Sequence, residues 1–465
     1  MNHSSPPHSL ADIAAGTKSG KLMAPLIGAT FAAALGGLLF GFDTIVISGC
    51  QQQIKDLFHL SGFQQGFMTA SALVGAVIGA LLAGKPGDLF GRRDSLKVAG
   101  LCFLLCALGC MTAPNLEYFI TFRFLGGLAV GATSVLCPMY IAEISPASWR
   151  GRLVAFFQFN IVLGCLVALF SNYVIGTLNL GEAEWRWKLG VQAVPSLAFL
   201  IMLFFIPRSP RWLAMKGLTD EAETVLKSVG TEDAKAQLQI IQKSLREDVV
   251  GGKAPLFVRS HLKPILLACT VAMFNQLDGI NALWYYLNPI FTMAGFTKLS
   301  GDLQAVFLGI ANMIATMAGI AIIDRVGRKP LLLWGAIGTG VCMGLVAWVF
   351  NGHEHHDWLV WLLVGFVICH AFGQGAVIWV YISEIFPTAV RGKGQALGSF
   401  THWFMAMVIS WTFPMVARDA GQPQAGLPFA FFAVMMVLQT LVVWKFFPET
   451  KRVALEDIQQ HMGGH

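Results

Sequence analysis

The chain is short of charge. Of its 465 residues only 12% are Asp, Glu, Lys or Arg, where a soluble domain carries about 25%. That supply is too small to wet the surface of a soluble body this size, which excludes an ordinary soluble enzyme or binding module. A cysteine framework is also missing: the nine cysteines form no CxxC, and all but Cys50 fall inside apolar runs. They read as small packing residues, so neither disulfides nor a thiolate metal site is expected. No nucleophile–base set and no phosphate-cradling loop occurs, so neither catalysis nor a cofactor is expected. The polar tail, residues 1–21, shows no signal-peptide cleavage pattern.

What the chain has instead is apolar sequence, 55% of all residues, at a mean hydropathy of +0.63. Runs of about 20 apolar residues, enough to cross a ~30 Å hydrocarbon core, recur near 24–47, 66–84, 95–113, 118–142, 152–175, 188–206, 264–293, 303–323, 331–350, 358–382, 394–416 and 427–447. They predict an all-α membrane protein of twelve spans, with the lipid bilayer as its surroundings. The 49 glycines, many inside these runs, suit close helix packing in lipid. Lys and Arg concentrate on one side: of 32, only Lys55, Arg186, Lys188, Lys298 and Arg418 fall on the other, and Arg123 lies within the fourth run. The positive-inside bias therefore places both termini in the cytoplasm. The net charge of +6 follows from that bias and is no argument for nucleic acid.

Loop motifs repeat. Asp88, Gly91 and Arg92 recur as Asp324, Gly327 and Arg328, each 236 positions on; Glu143, Arg150 and Gly151 recur as Glu384, Arg391 and Gly392, and Pro207 as Pro448, each 241 positions on. Two six-helix halves are expected, 22–206 and 264–450, with a cytoplasmic linker, 207–263, and a tail, 451–465. Within the linker, segments 219–228 and 232–247 have helical character. Such repeats about an axis normal to the membrane place a substrate between the halves near midplane.

Two charges stand inside spans, Asp43 in the first and Arg123 in the fourth. A charge at the bilayer centre costs roughly 2.5–3.5 kcal/mol on insertion scales, so such residues pair, titrate or line a wet path.

Asp88…Gly91-Arg92-Arg93, Pro138…Glu143, Gln276-Leu277-Asp278-Gly279-Ile280-Asn281, Asp324…Gly327-Arg328-Lys329, Ser383-Glu384-Ile385-Phe386-Pro387 and Pro448-Glu449-Thr450 together resemble the sugar porter family of the major facilitator superfamily, over about residues 24–455. The resemblance implies the major facilitator fold, a monosaccharide (hexose or pentose) as substrate, a location in the plasma membrane and function as a monomer. It also implies a charge clamp on the linker side from Asp88, Arg92, Arg93, Glu143 and Arg150, repeated as Asp324, Arg328, Glu384 and Arg391. Two departures stand out: Arg208 replaces the family's Glu after the sixth span, and Asn275 replaces the first of two glutamines in the seventh.

The family pattern points to Phe40, Gln158, Gln276, Asn281, Asn312, Trp379, His402 and Trp403 as sugar contacts: amides for hydroxyls, flat rings for C–H faces. On an ideal helix Gln276 and Asn281 are about 140° apart, so aiming both inward requires a break, which Gly279 permits. Asp278 beside them is read as lying near the outer mouth, with no role. The resemblance makes Asp43 the proton acceptor of a symporter and Arg123 its partner. Arg123 favours the ionised carboxylate and burial the neutral one, so the two oppose and leave a proton exchangeable. The alternatives are a uniporter in which the pair is a permanent brace, and a non-transporting sensor, against which the short tail argues. The cluster His353-Glu354-His355-His356-Asp357 is read as a solvated loop, not a metal site.

Overall fold

A computed structural model describes residues 23–231, 233–251, 255–352, 357–387, 390–418 and 422–451. Both tails and His353 to His356 lie outside them.

The apolar runs become helices because lipid offers backbone groups no partners, so each segment must satisfy its own. In order the spans are Ala24–Val46, Gly62–Leu82, Arg92–Thr112, Leu116–Ile144, Ala147–Thr177, the pair Glu184–Gly190 and Ala193–Met202, the broken seventh (Leu262–Leu277, Ile280–Tyr285, Leu287–Met293), Lys298–Val326, Arg328–Asn351, the tenth (Trp358–His370 and Ala376–Ile385), Arg391–Val416 and Leu427–Phe446. Ten are long and apolar enough to cross a membrane by those criteria alone; the sixth and eleventh complete twelve. Twelve spans in two sets of six, with short helices between them, are the arrangement that the resemblance to the major facilitator superfamily implies. Phe205, Trp361 and Trp444 are among the large side chains left exposed around the bundle, where lipid would meet them.

Several helix starts carry side-chain caps. Ser61 accepts the Gln64 N–H in a reciprocal capping box, Asn115 accepts from Tyr118 and Thr297 from Ser300, each satisfying an orphan donor. Three helices, Pro210–Met215, Thr219–Ser228 and Ala234–Gly251, lie between the halves. The second and third begin at or within two residues of segments 219–228 and 232–247; the first is too short to show a period.

Packing inside the first half depends on small residues. In spans 2 and 4 a Cβ at Gly127 would sit 1.9 Å from the Ala72 carbonyl oxygen, and one at Gly75 2.3 Å from that of Phe124. The two backbones touch, which is how helices gain dispersion contact where lipid removes the hydrophobic drive.

The halves meet chiefly where span 2 packs on span 11 and span 5 on span 8. Gly62 faces the Pro414 carbonyl and Gly66 that of Trp411. These are the span ends opposite the linker helices, so the molecule is closed on that face.

Candidate functional site

The seventh span breaks where the sequence allows. Gly279 sits at φ +92° with Phe432 packed where a Cβ would be, a conformation that strains any L side chain. The break swings Asn281 back so that its amide donates to Gln276 Oε1 at 2.6 Å. Gln276 Nε2 in turn donates to Asn275 at 2.9 Å and meets the His402 ring at 3.3 Å. His402 packs against Trp379 at 5.0 Å between ring centroids and edge-on to Trp403 at 5.2 Å. Trp403 reaches across to Phe40 of the first half at 5.7 Å. Six of the eight expected sugar contacts, with Asn275, thus form one cluster of amides and flat rings spanning both halves. Gln158 and Asn312 are half-buried in spans 5 and 8 and make no hydrogen bond with it among the described residues. The amides now bond one another, and a polyol could exchange those bonds for its hydroxyls.

Asp43 and Arg123 are each 1% exposed. Arg123 Nη1 donates to Asp43 Oδ1 at 3.0 Å, and both Nη groups approach the Asp43 carbonyl. Gln192 of span 6 donates to the same Oδ1 at 3.2 Å, a partner the motifs did not indicate. Arg123 Nε is left without a hydrogen bond, so the pair is incompletely satisfied and held by one strong contact. Tyr285, buried in the segment just after the break in span 7, lies beside Arg123, Asp43 and Thr44. One six-residue helix, Ile280–Tyr285, therefore carries an amide of the cluster near one end and, at the other, Tyr285 within electrostatic range of the buried ion pair.

Asp278 is not near any mouth. It is fully buried and bonded to His370, a correction to its sequence reading.

On the linker face each half has its own lock. In the second, Arg328 bonds Glu384 at 2.7 Å and Asp324 at 3.0 Å, and Glu449 accepts the backbone N–H groups of Arg328 and Lys329 at 3.0 Å each. In the first, Arg92 bonds Glu143 at 3.1 Å and Asp88 at 2.8 Å. Arg93 turns away, to Asp94 and the Ile206 carbonyl, and Arg150 bonds the Ala142 carbonyl; Arg391 begins span 11. Arg208 stands where the repeat has Glu449, and a cation cannot cap a helix start. It sits 3.7 Å from Asp94 and over the Trp212 ring, a half-exposed pair worth little. Arg208→Glu is expected to supply the missing cap, worth about 1 kcal/mol at a helix N-terminus, and to raise the melting temperature by roughly 2–4 °C for a half of this size; an unchanged or lowered melting temperature would show that the first half does without it.

On the opposite face an ion cluster joins the halves. Lys188 of span 6, fully buried, bonds Glu184 at 2.8 Å and, across the seam, Asp302 of span 8 at 3.1 Å. Lys298 adds a contact to Glu184 at 2.9 Å, and Asn288 donates to Asp302. Nothing in the motifs marked these residues.

The sequence matches the family model described as Sugar (and other) transporter over residues 29–462. The D-xylose-proton symporter of Escherichia coli strain K12 is 34% identical, over 92% of this chain and 94% of its own. The arabinose-proton symporter of Bacillus subtilis is 35% identical over 92% and 93%. Among solved structures, the inward open xylose transporter XylE from E. coli superposes with a TM-score of 0.84 at 33% identity, covering 94% of this chain and 99% of that one. The same kind of symporter bound to 6-bromo-6-deoxy-D-glucose gives 0.77 at 34% identity, with the same coverage.

Proposed function

The chain belongs to the sugar (and other) transporter family, and on that premise we propose that it imports a monosaccharide, hexose or pentose, together with a proton by alternating access. The observation that carries this reading is the helix Ile280–Tyr285, which joins the amide–aromatic cluster to the buried Asp43–Arg123 pair. The linker face is taken as cytoplasmic, with both termini on it, so the molecule is closed to the outside. Its closer superposition on an inward open relative supports that assignment.

The cycle follows from charge and packing. With Asp43 ionised, Arg123 is held and spans 1 and 4 are tied. A proton on Asp43 cancels the carboxylate's charge, frees Arg123 and loosens that tie. Sugar in the cluster draws Gln276 and Asn281 off each other and onto its hydroxyls, which repositions Ile280–Tyr285 against the loosened pair. Only the doubly loaded and the empty, re-paired protein then rock freely, and that difference between states is what couples two ligands. No step makes or breaks a covalent bond in the sugar.

The experiment is internal pH in proteoliposomes on adding D-glucose, D-xylose, D-galactose or L-arabinose outside. Acidification with one of them supports symport and names a substrate. Exchange of labelled sugar without acidification would make the protein a uniporter and Asp43–Arg123 a brace. Gln276→Ala removes the centre of the amide cluster and leaves Asn275 and Asn281 without their partner. A lost hydrogen bond plus an unsatisfied buried group is worth ~1–3 kcal/mol, so sugar affinity is expected to fall about 5- to 150-fold by calorimetry. Unchanged affinity would move the sugar site elsewhere.

A further inference from the structure

The internal repeat carries a second acid. Asp278 follows Asp43 by 235 positions, one short of the 236 that separate Asp88 from Asp324, so the two acids hold equivalent places in spans 1 and 7. Their partners come from corresponding spans, six residues further along in the second half than the 241-residue repeat would place them. Asp43 meets a basic residue of span 4 and a glutamine of span 6, Arg123 and Gln192. Asp278 Oδ2 meets His370 Nδ1 of span 10 at 2.5 Å and Gln374 at 3.3 Å, and Gln374 donates on to Gln439 of span 12 at 3.0 Å. His370 and Gln374 flank or lie in the five-residue π-helical turn of span 10, Ala371–Gly375, an irregularity of a kind often found at functional sites. Twelve residues from Trp358, about 18 Å along a helix, His370 lies near the middle of the bilayer.

We propose that Asp278–His370 is a second proton-binding site, one that sets sugar affinity; this rests on the sugar site placed above at Gln276 and Asn281. The pair has no net charge only while it holds one proton, as imidazolium and carboxylate or as imidazole and carboxylic acid. Without that proton a bare carboxylate stands beside a neutral ring in a buried site, where net charge is costly. Protonated Asp278 also has an acceptor within reach, because Gln374 Oε1 is buried without a partner and an amide rotation presents it. Asp278 Oδ1 meanwhile accepts the Ile280 N–H at 2.9 Å, the first group of the helix carrying Asn281. The proton's presence is thus felt at the break that aims both sugar amides. From span 11 the titratable residue is His402, which meets Gln276; span 12 contributes the neutral Gln439. Among the described residues no other ion pair reaches Asp278 or His370.

The site differs from Asp43 in one respect. Asp43 lies at the seam, against Tyr285 of the other half, so its charge controls rocking. Asp278, His370, Gln374 and Gln439 all belong to the second half, so their proton changes affinity and leaves the return of the empty protein free.

The test is calorimetry of D-xylose, D-glucose and L-arabinose binding to the purified full chain from pH 5.5 to 8.5, in two buffers of different ionisation enthalpy. Asp43→Asn is expected to keep a pH-dependent affinity that falls with rising pH, approaching tenfold per unit when a whole proton is linked. Adding Asp278→Asn, which keeps an acceptor for Ile280, or His370→Gln, which keeps a donor, flattens that profile. A flat profile in Asp43→Asn alone, or one that persists in Asp43→Asn/Asp278→Asn and Asp43→Asn/His370→Gln, overturns this site while leaving the sugar site standing. Absence of binding by all three sugars at every pH in the unmodified chain overturns both.

Discussion

Asp43→Asn protein in vesicles with a 100 mV inside-negative potential is expected to exchange sugar across the membrane and not to concentrate it. One charge moved through 100 mV is worth about 2.3 kcal/mol, and each 1.36 kcal/mol is tenfold. A symporter moving one proton per sugar therefore supports roughly a 50-fold gradient under that potential, and the variant none. Asparagine keeps an oxygen for the hydrogen bonds from Arg123 and Gln192 that now end on Asp43 Oδ1, so the fold should tolerate it. What it loses is the ability to gain and lose charge. With the side chain permanently neutral, Arg123 is never re-tied by charge, so the empty protein does not return and net uptake stops. Exchange of labelled sugar persists because it does not need that control. Normal accumulation by the variant would remove Asp43 from the coupling role and leave the pair structural.

Much of this architecture could be read from the chain, for physical reasons that also mark where reading stops. A span must be about 20 apolar residues because the bilayer is ~30 Å thick, so the runs near 118–142 and 331–350 lie within helices Leu116–Ile144 and Arg328–Asn351. The break at Gly279 was legible because two amides five residues apart cannot share a helix face. The π-helical turn at Ala371–Gly375 was not, since neither composition nor spacing distinguishes it from regular helix. Nor were the partners chosen across the fold. Gln192 is 149 residues from Asp43 and Asp302 is 114 from Lys188, and an isolated Gln or Lys gives no sign of which distant carboxylate it will meet. Asp278 is the instructive case. The repeat placed it opposite Asp43, yet as a single acid beside a glycine it looked like a mouth residue until burial and His370 showed otherwise.

Lys188→Ala should move the population away from the state described here. Lys188 is fully buried and lies between Glu184 of its own half and Asp302 of the other, so it holds the face opposite the linker shut. Removing one partner of a buried ion pair costs about 3–5 kcal/mol, because the remaining charges stay desolvated. Here Asp302 would keep only Asn288, and Glu184 would keep Lys298. That cost applies chiefly to the closed state, since opening this face lets water reach both carboxylates. A bias of this size exceeds the few kcal/mol that separate alternating states. Spin labels at Leu57 and Met415, exposed residues at the same face of opposite halves, report it directly. The distance between them should lengthen in Lys188→Ala, and Asp302→Asn, which keeps a hydrogen-bond acceptor and places no charge beside the lysine, should lengthen it less. A distance distribution identical to that of the unmodified protein would mean that spans 2 and 11, packed through Gly62, Gly66 and Trp411, close this face without the ions. The cluster would then have to be sought among the determinants of folding instead of transport.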